Sequence, residues 1–127
     1  MRGTTRRFTA PDDAKHFPKG AEAIIGLTDK PVGLATFEPG WRWSNDMRPI
    51  VGTERCPFLH VGYALSGHLH VELPDGGALE VRAGDLFVIP PGHDAWVVGD
   101  ETCSILDWGG KAREYAEAAA GGAEARR

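Results

Sequence analysis

From Val32 to Trp108, short apolar runs are cut by glycine- and proline-bearing turns every eight to twelve residues. That interval leaves no room for long helices and is the one expected of an antiparallel β sandwich or barrel. The 17 Gly and 9 Pro of this 127-residue chain lie largely between the apolar runs. The clearest unit is residues 84–96. There Leu86-Phe87-Val88-Ile89 reads as a buried strand, stopped by Pro90-Pro91 because proline cannot donate to a sheet ladder. Gly92 supplies the positive φ that such a turn often needs. His93 stands at the lip, and a second strand leaves through Ala95-Trp96-Val97-Val98. A side chain at such a turn is one that a scaffold can aim.

The rest of the chain follows the same rhythm. Residues 1–20 are dominated by polar punctuation and read as an irregular arm with one turn of helix at most, Phe8 and Phe17 tucking against the domain. Strands are expected at residues 23–27 and 32–37, before a polar loop from Ser44 to Thr53. A long strand bent at Pro57 is expected from Glu54 to Leu65. His68-Leu69-His70-Val71-Glu72-Leu73 alternates without a fault into the hairpin turn Pro74-Asp75-Gly76-Gly77. Residues 78–81, 95–98 and 103–108 complete the set. One domain at residues 21–110 follows, flanked by the arm and by an Ala-rich tail, residues 111–127, read as helical or frayed.

Composition excludes several classes. The formal net charge is −4, with no basic stripe, so nucleic acid is not an expected partner. No apolar run reaches membrane-spanning length, and residues 1–4 lead into no apolar signal core. The cytoplasm is the expected location. Cys56 and Cys103 could pair, but reduced thiols suit that compartment better.

With the turns placed, residues 54–96 resemble the cupin superfamily. Its second motif, G-x5-P-x-G-x2-H-x3-N, is matched at Gly84, Pro90 and Gly92. Its first, G-x5-H-x-H-x3,4-E-x6-G, ends at Gly67, and Tyr63-Ala64-Leu65-Ser66-Gly67 is similar to the usual Tyr-Val-Leu-x-Gly ending. The resemblance implies an all-β fold, a single double-stranded β-helix or jelly-roll barrel. Counted back from Gly67, His60 falls where the family keeps a glutamate, and Glu54 and Cys56 where it keeps two histidines. Ala95 takes the place of the second-motif histidine and Gly99 that of the asparagine. The family's three-histidine, one-glutamate metal set is therefore absent in its usual form.

What stands instead is Glu54, Cys56 and His60, with His93 two residues upstream of the motif position. Positions 54, 56 and 60 share parity on an extended strand, so all three could face the interior. A thiolate and two imidazoles with an optional carboxylate suit one transition-metal ion, Zn, Fe or Cu, with a position left for water or substrate. Cys56, His60 and His93 are the candidate ligands, Glu54 the candidate general base, and Trp43 and Tyr63 the candidate pocket walls around a small-molecule ligand. The plain alternative is that His93 caps its turn, Cys56 is a small buried apolar residue and His60 a satisfied core histidine. Asp94 is expected to orient His93 or close an Asx turn, Arg42 and Arg48 to lie solvated, and Cys103 to pack.

The literal His68-x-His70 points away from the interior, because Leu69, Val71 and Leu73 form the apolar face of that strand. The four tryptophans read first as core plugs. Two functions remain open: a metal-dependent enzyme acting on a small molecule, and a non-catalytic, metal-free binding or sensing barrel. Small cupins are often dimers, so the resemblance also carries a homodimer as an expectation.

Overall fold

The structure, a computed structural model, describes residues 2–109. Nine strands follow one another: β1 (Asp13–Phe17), β2 (Gly20–Gly26), β3 (Pro31–Phe37), β4 (His60–Ser66), β5 (His68–Glu72), β6 (Ala78–Arg82), β7 (Leu86–Ile89), β8 (Asp94–Val97) and β9 (Cys103–Asp107). They form a six-stranded sheet in the order β1-β2-β3-β9-β4-β7 and a three-stranded sheet in the order β6-β5-β8. Every strand pair is antiparallel. The chain is all-β, as its turn spacing predicts.

Period-two alternation sets which side chains enter the core. On β5, Leu69 and Val71 are buried while His68, His70 and Glu72 point outward. On β4 the inward positions are His60, Gly62 and Ala64, and on β9 they are Cys103, Ile105 and Asp107. Gly62 is required by packing, since a Cβ there would strike the Leu106 carbonyl oxygen of β9. The core joins Phe37, Trp41, Trp43, Met47, Leu69, Val71, Phe87, Ile89 and Ile105 between the sheets. Burying each large side chain contributes about 1.5–3 kcal/mol.

Four expectations are corrected. The N-terminal arm is irregular only to residue 12; Asp13–Phe17 pairs with β2 as an edge strand, and Phe17 packs on Phe37 at 6.1 Å between ring centroids. The strand expected from Glu54 begins only at His60, because Pro57 carries no N–H for a ladder; before it, Cys56 forms one isolated bridge with His93. The polar loop contains a π-helical turn, Trp43–Met47, and a short helix α1, Arg48–Val51, with Pro49 in its first turn and Gly52 at φ 86° ending it. Trp96 and Trp108 are not core plugs. Trp96 stacks on the outer face between His70 and the Arg42 guanidinium, and Trp108 is 40% exposed. The expected helix in the tail lies outside the described residues.

Asp94 locks the π-helical turn to the three-stranded sheet. Its carboxylate, fully buried, accepts hydrogen bonds from the Ser44 N–H (3.0 Å), the Ser44 hydroxyl (2.9 Å), the Ala95 N–H (2.9 Å) and the Arg42 guanidinium (3.0 and 3.1 Å). Arg42 is thus structural rather than merely solvated, and Asp94 holds the loop rather than His93. Asp46 adds a second tie, accepting from the Arg42 N–H at 2.9 Å and from Lys19 Nζ at 3.0 Å. Burial pushes the Asp94 carboxyl up, but the bonds from Ser44, Ala95 and Arg42 outweigh it and hold it below the ordinary range. A carboxyl lowered on folding contributes stability that is present above its unfolded value, about 3.9, and is lost as pH falls through its folded value. Asp94→Asn is expected to cost about 2–3 kcal/mol in urea unfolding at pH 7. The gap between variant and wild type should narrow below about pH 4.

Candidate metal centre

Three donor side chains from separate parts of the chain meet between the two sheets. His60 opens β4 and faces inward. Cys56 lies in the stretch before it, and His93 follows the Pro90-Pro91-Gly92 turn, where Gly92 takes φ 92°. The Cys56 N–H donates to the His93 carbonyl at 3.0 Å, and the Gly92 N–H to the Cys56 carbonyl at 2.7 Å. Those two backbone bonds place the Cys56 and His93 side chains side by side. The candidate ligand atoms of Cys56, His60 and His93 all lie within 4.8 Å of one another, and all three residues are buried.

The imidazoles are oriented from behind. His60 Nδ1 lies 2.7 Å from Asp107 Oδ2, and His93 Nδ1 lies 2.7 Å from the Pro90 carbonyl oxygen. A carbonyl oxygen only accepts, and so does an ionised carboxylate, so each Nδ1 is the protonated nitrogen. In the neutral rings the lone pairs therefore sit on Nε2. His60 Nε2 faces Cys56 Sγ at 3.5 Å, and the two rings meet edge to face with centroids 5.0 Å apart. Imidazole held at Nδ1 by an acceptor and presenting Nε2 is the arrangement that metal-binding histidines adopt.

The three donors line a cavity of about 40 Å³ whose other walls are Phe37, Trp41, Trp43, Met47, Leu69, Ile89, Ala95 and Ile105. That volume accommodates a few water-sized groups, each needing at least about 10–15 Å³. The buried indole N–H of Trp41 finds no hydrogen-bond acceptor among the described residues. A far larger cleft, about 520 Å³, opens beside Arg55, His70, Glu72 and Gly92, but it contains none of the three donors.

Of the residues singled out from sequence, Cys56, His60, His93 and Trp43 are brought together. Glu54 is not: its side chain is 86% exposed and pairs with Arg48 at 2.9 Å. Parity failed there because Pro57 interrupts the strand on which it was counted. Tyr63 is not either; it lies on the outward face of β4, since only even-numbered positions of that strand point in. Asp107 and Trp41 were missed. Asp107 was legible in principle, because it shares parity with Cys103 and Ile105 on an alternating strand. Trp41 carries no such signal, because it lies outside any strand and its position depends on the π-helical turn.

No family model and no curated protein matches the sequence. Solved structures do match. KdgF from Halomonas sp. is 24% identical with a TM-score of 0.52, over 75% of this chain and 85% of that one. The polyketide cyclase RemF from Streptomyces resistomycificus is 20% identical with a TM-score of 0.57, over 84% of this chain and 78% of that one. A cupin-2 domain protein from Rhodospirillum rubrum is 17% identical with a TM-score of 0.52, over 81% of this chain and 64% of that one. The chain has a cupin fold. Among the described residues, no helix is long and apolar enough to cross a membrane.

The second cysteine stands apart from the cluster. Cys103 is completely buried on β9, and burial, with a smaller contribution from Glu101, pushes its thiol up to about 11. Neither cysteine is joined in a disulfide. Cys103 is therefore expected to resist iodoacetamide at pH 8 in the folded protein and to react fully in guanidinium. Peptide mass mapping of the alkylated protein reads both states.

Proposed function

We propose that this cupin binds one transition-metal ion, Zn, Fe or Cu, through Cys56 Sγ, His60 Nε2 and His93 Nε2, and holds a small molecule beside it in the cavity. The observation that carries this reading is the buried group of Cys56, His60 and His93, whose candidate ligand atoms lie within 4.8 Å of one another, with each imidazole held at Nδ1 by an oxygen atom. The donor spacing supports it. Zinc bonds of about 2.3 Å to sulfur and about 2.05 Å to nitrogen, set at a tetrahedral angle, separate the two atoms by about 3.5 Å. Cys56 Sγ and His60 Nε2 are 3.5 Å apart. When bound, the ion supplies Lewis acidity and an open coordination position.

The chain's own groups then divide the work. Asp107 fixes the His60 tautomer and raises its basicity as a ligand, and the Pro90 carbonyl does the same for His93. The Trp41 N–H offers a hydrogen bond to an acceptor atom on the occupant. Phe37, Trp43 and Met47 keep bulk water from the donors.

The second reading, a non-catalytic and metal-free binding or sensing cupin, is favoured by one observation. No carboxylate lines the cavity among the described residues, so the general base expected of Glu54 has no substitute there.

Elemental analysis of tag-free protein decides between them. One ion per chain is expected in the wild type and none in the Cys56→Ala/His60→Ala variant. Absence of metal from the wild type, or equal metal in both, overturns the metal reading. Asp107→Asn is expected to weaken metal affinity about 10–100-fold. Glu54→Gln should leave affinity unchanged, both read by competition with a chromogenic chelator.

A further inference from the structure

The cleft of about 520 Å³ lies outside the barrel, on the solvent side of the three-stranded sheet, and has the size of a small-molecule site. Arg55, His70 and Glu72 form its polar wall, and Leu73, Pro74 and Ala78 its apolar one. It backs onto the inner cavity. Arg55 and Gly92 line the cleft, while their chain neighbours Cys56 and His93 line the cavity.

The two full charges in this cleft are opposite in sign and do not pair with each other. Among the described residues, the Arg55 guanidinium makes one hydrogen bond, from Nη1 to Asp94 Oδ2 at 3.4 Å. That oxygen already accepts from the Ser44 hydroxyl at 2.9 Å and from Arg42 at 3.0 and 3.1 Å. Most of the five N–H donors of Arg55 are therefore left for another partner. Glu72 has the Arg42 Nη2 at 3.7 Å, too long for a hydrogen bond. The Arg55 and Glu72 side chains are about half exposed, at 51% and 47%. His70 adds a third polar group. Its Nδ1 lies 2.6 Å from Glu80 Oε2, and a carboxylate accepts, so Nδ1 carries a proton and the neutral ring keeps its lone pair on Nε2. The ring is held in place by stacking on Trp96, with centroids 4.5 Å apart.

We propose that this cleft binds a free α-amino acid with an apolar side chain. The guanidinium fork of Arg55 takes the α-carboxylate through two parallel N–H···O bonds. The α-ammonium has three donors and no acceptor. It meets the only side-chain acceptors that line the cleft, the Glu72 carboxylate and His70 Nε2. Leu73, Pro74 and Ala78 receive the apolar side chain. The choice of a zwitterion follows from the unpaired charges: a simple anion is repelled by Glu72, a simple cation by Arg55, and a neutral sugar compensates neither. The proposal is independent of the metal centre, since the cleft contains none of its donors.

Titration of the full ¹⁵N-labelled chain with L-leucine, followed by ¹H–¹⁵N correlation NMR, tests it. Saturable shifts are expected at the amides of Arg55, Gly76, Gly77 and Gly92, with a dissociation constant on the order of 1 mM. N-acetyl-leucine, which lacks the ammonium, and leucinamide, which lacks the carboxylate, should each bind at least about 10-fold more weakly. Arg55→Gln and Glu72→Gln should each weaken L-leucine binding by at least about 10-fold as well. Arg82→Gln, which removes a positive charge from β6 outside the cleft, should leave it unchanged. Near-UV circular dichroism checks that each variant keeps its packed core, and the two blocked ligands make the same test on the unaltered chain. No saturable shift up to about 20 mM L-leucine overturns the proposal. So do shifts confined to residues outside the cleft, blocked ligands or glucose that bind as well as L-leucine, or binding that survives both Arg55→Gln and Glu72→Gln.

Discussion

The buried Asp94 carboxylate is the constraint on which the interior depends. An ionised group that deep is tolerable only if its lone pairs are filled, and filling them requires the loop after β3 to bend into a π-helical turn. That bend brings Ser44 and Arg42 to the carboxylate, and so carries Trp41, Trp43 and Met47 over the space beside His93. The hydrophobic wall of the cavity is thus set by an electrostatic demand one residue away from a candidate ligand. Arg42 then extends the same chain of contacts outward, lying 4.2 Å over the Trp96 ring.

The fold was legible because it is written in local signals. Gly84, Pro90 and Gly92 mark a turn whose geometry needs no distant partner, and the alternation of Leu69 and Val71 with His68 and His70 names its own inward face. The site was legible only in part. Cys56, His60 and His93 could be named from residue type and position, but their meeting rests on a two-residue backbone bridge that the sequence does not announce. Glu54 was misplaced for the same reason that Cys56 was found: both were counted along one strand, and only the portion beyond Pro57 exists as a strand. Trp41 was read as a core plug and is buried, but its place on the cavity wall was out of reach because it depends on a turn tied to Asp94, 53 positions later in the chain.

The two halves of the candidate centre are prepared by different means. The His93 ring is set by a carbonyl three residues away, within its own turn. The His60 ring is set by Asp107, which is 47 residues distant and arrives only when β9 docks between β3 and β4. One ligand is ordered by local chain chemistry and the other by completed tertiary structure, so the full donor set exists only in the assembled barrel.

The Cys56–His93 bridge has a bearing on how such a barrel can vary. Because backbone bonds between facing residues fix the separation of these two donors, the segment between the end of α1 and Cys56 takes no part in setting it. That segment carries Gly52, Thr53, Glu54 and Arg55, all of them exposed. Insertions or deletions could accumulate there over evolutionary time while the spacing of sulfur and imidazole stayed the same. The centre is protected from the most changeable part of its own chain by the dimensions of a β ladder.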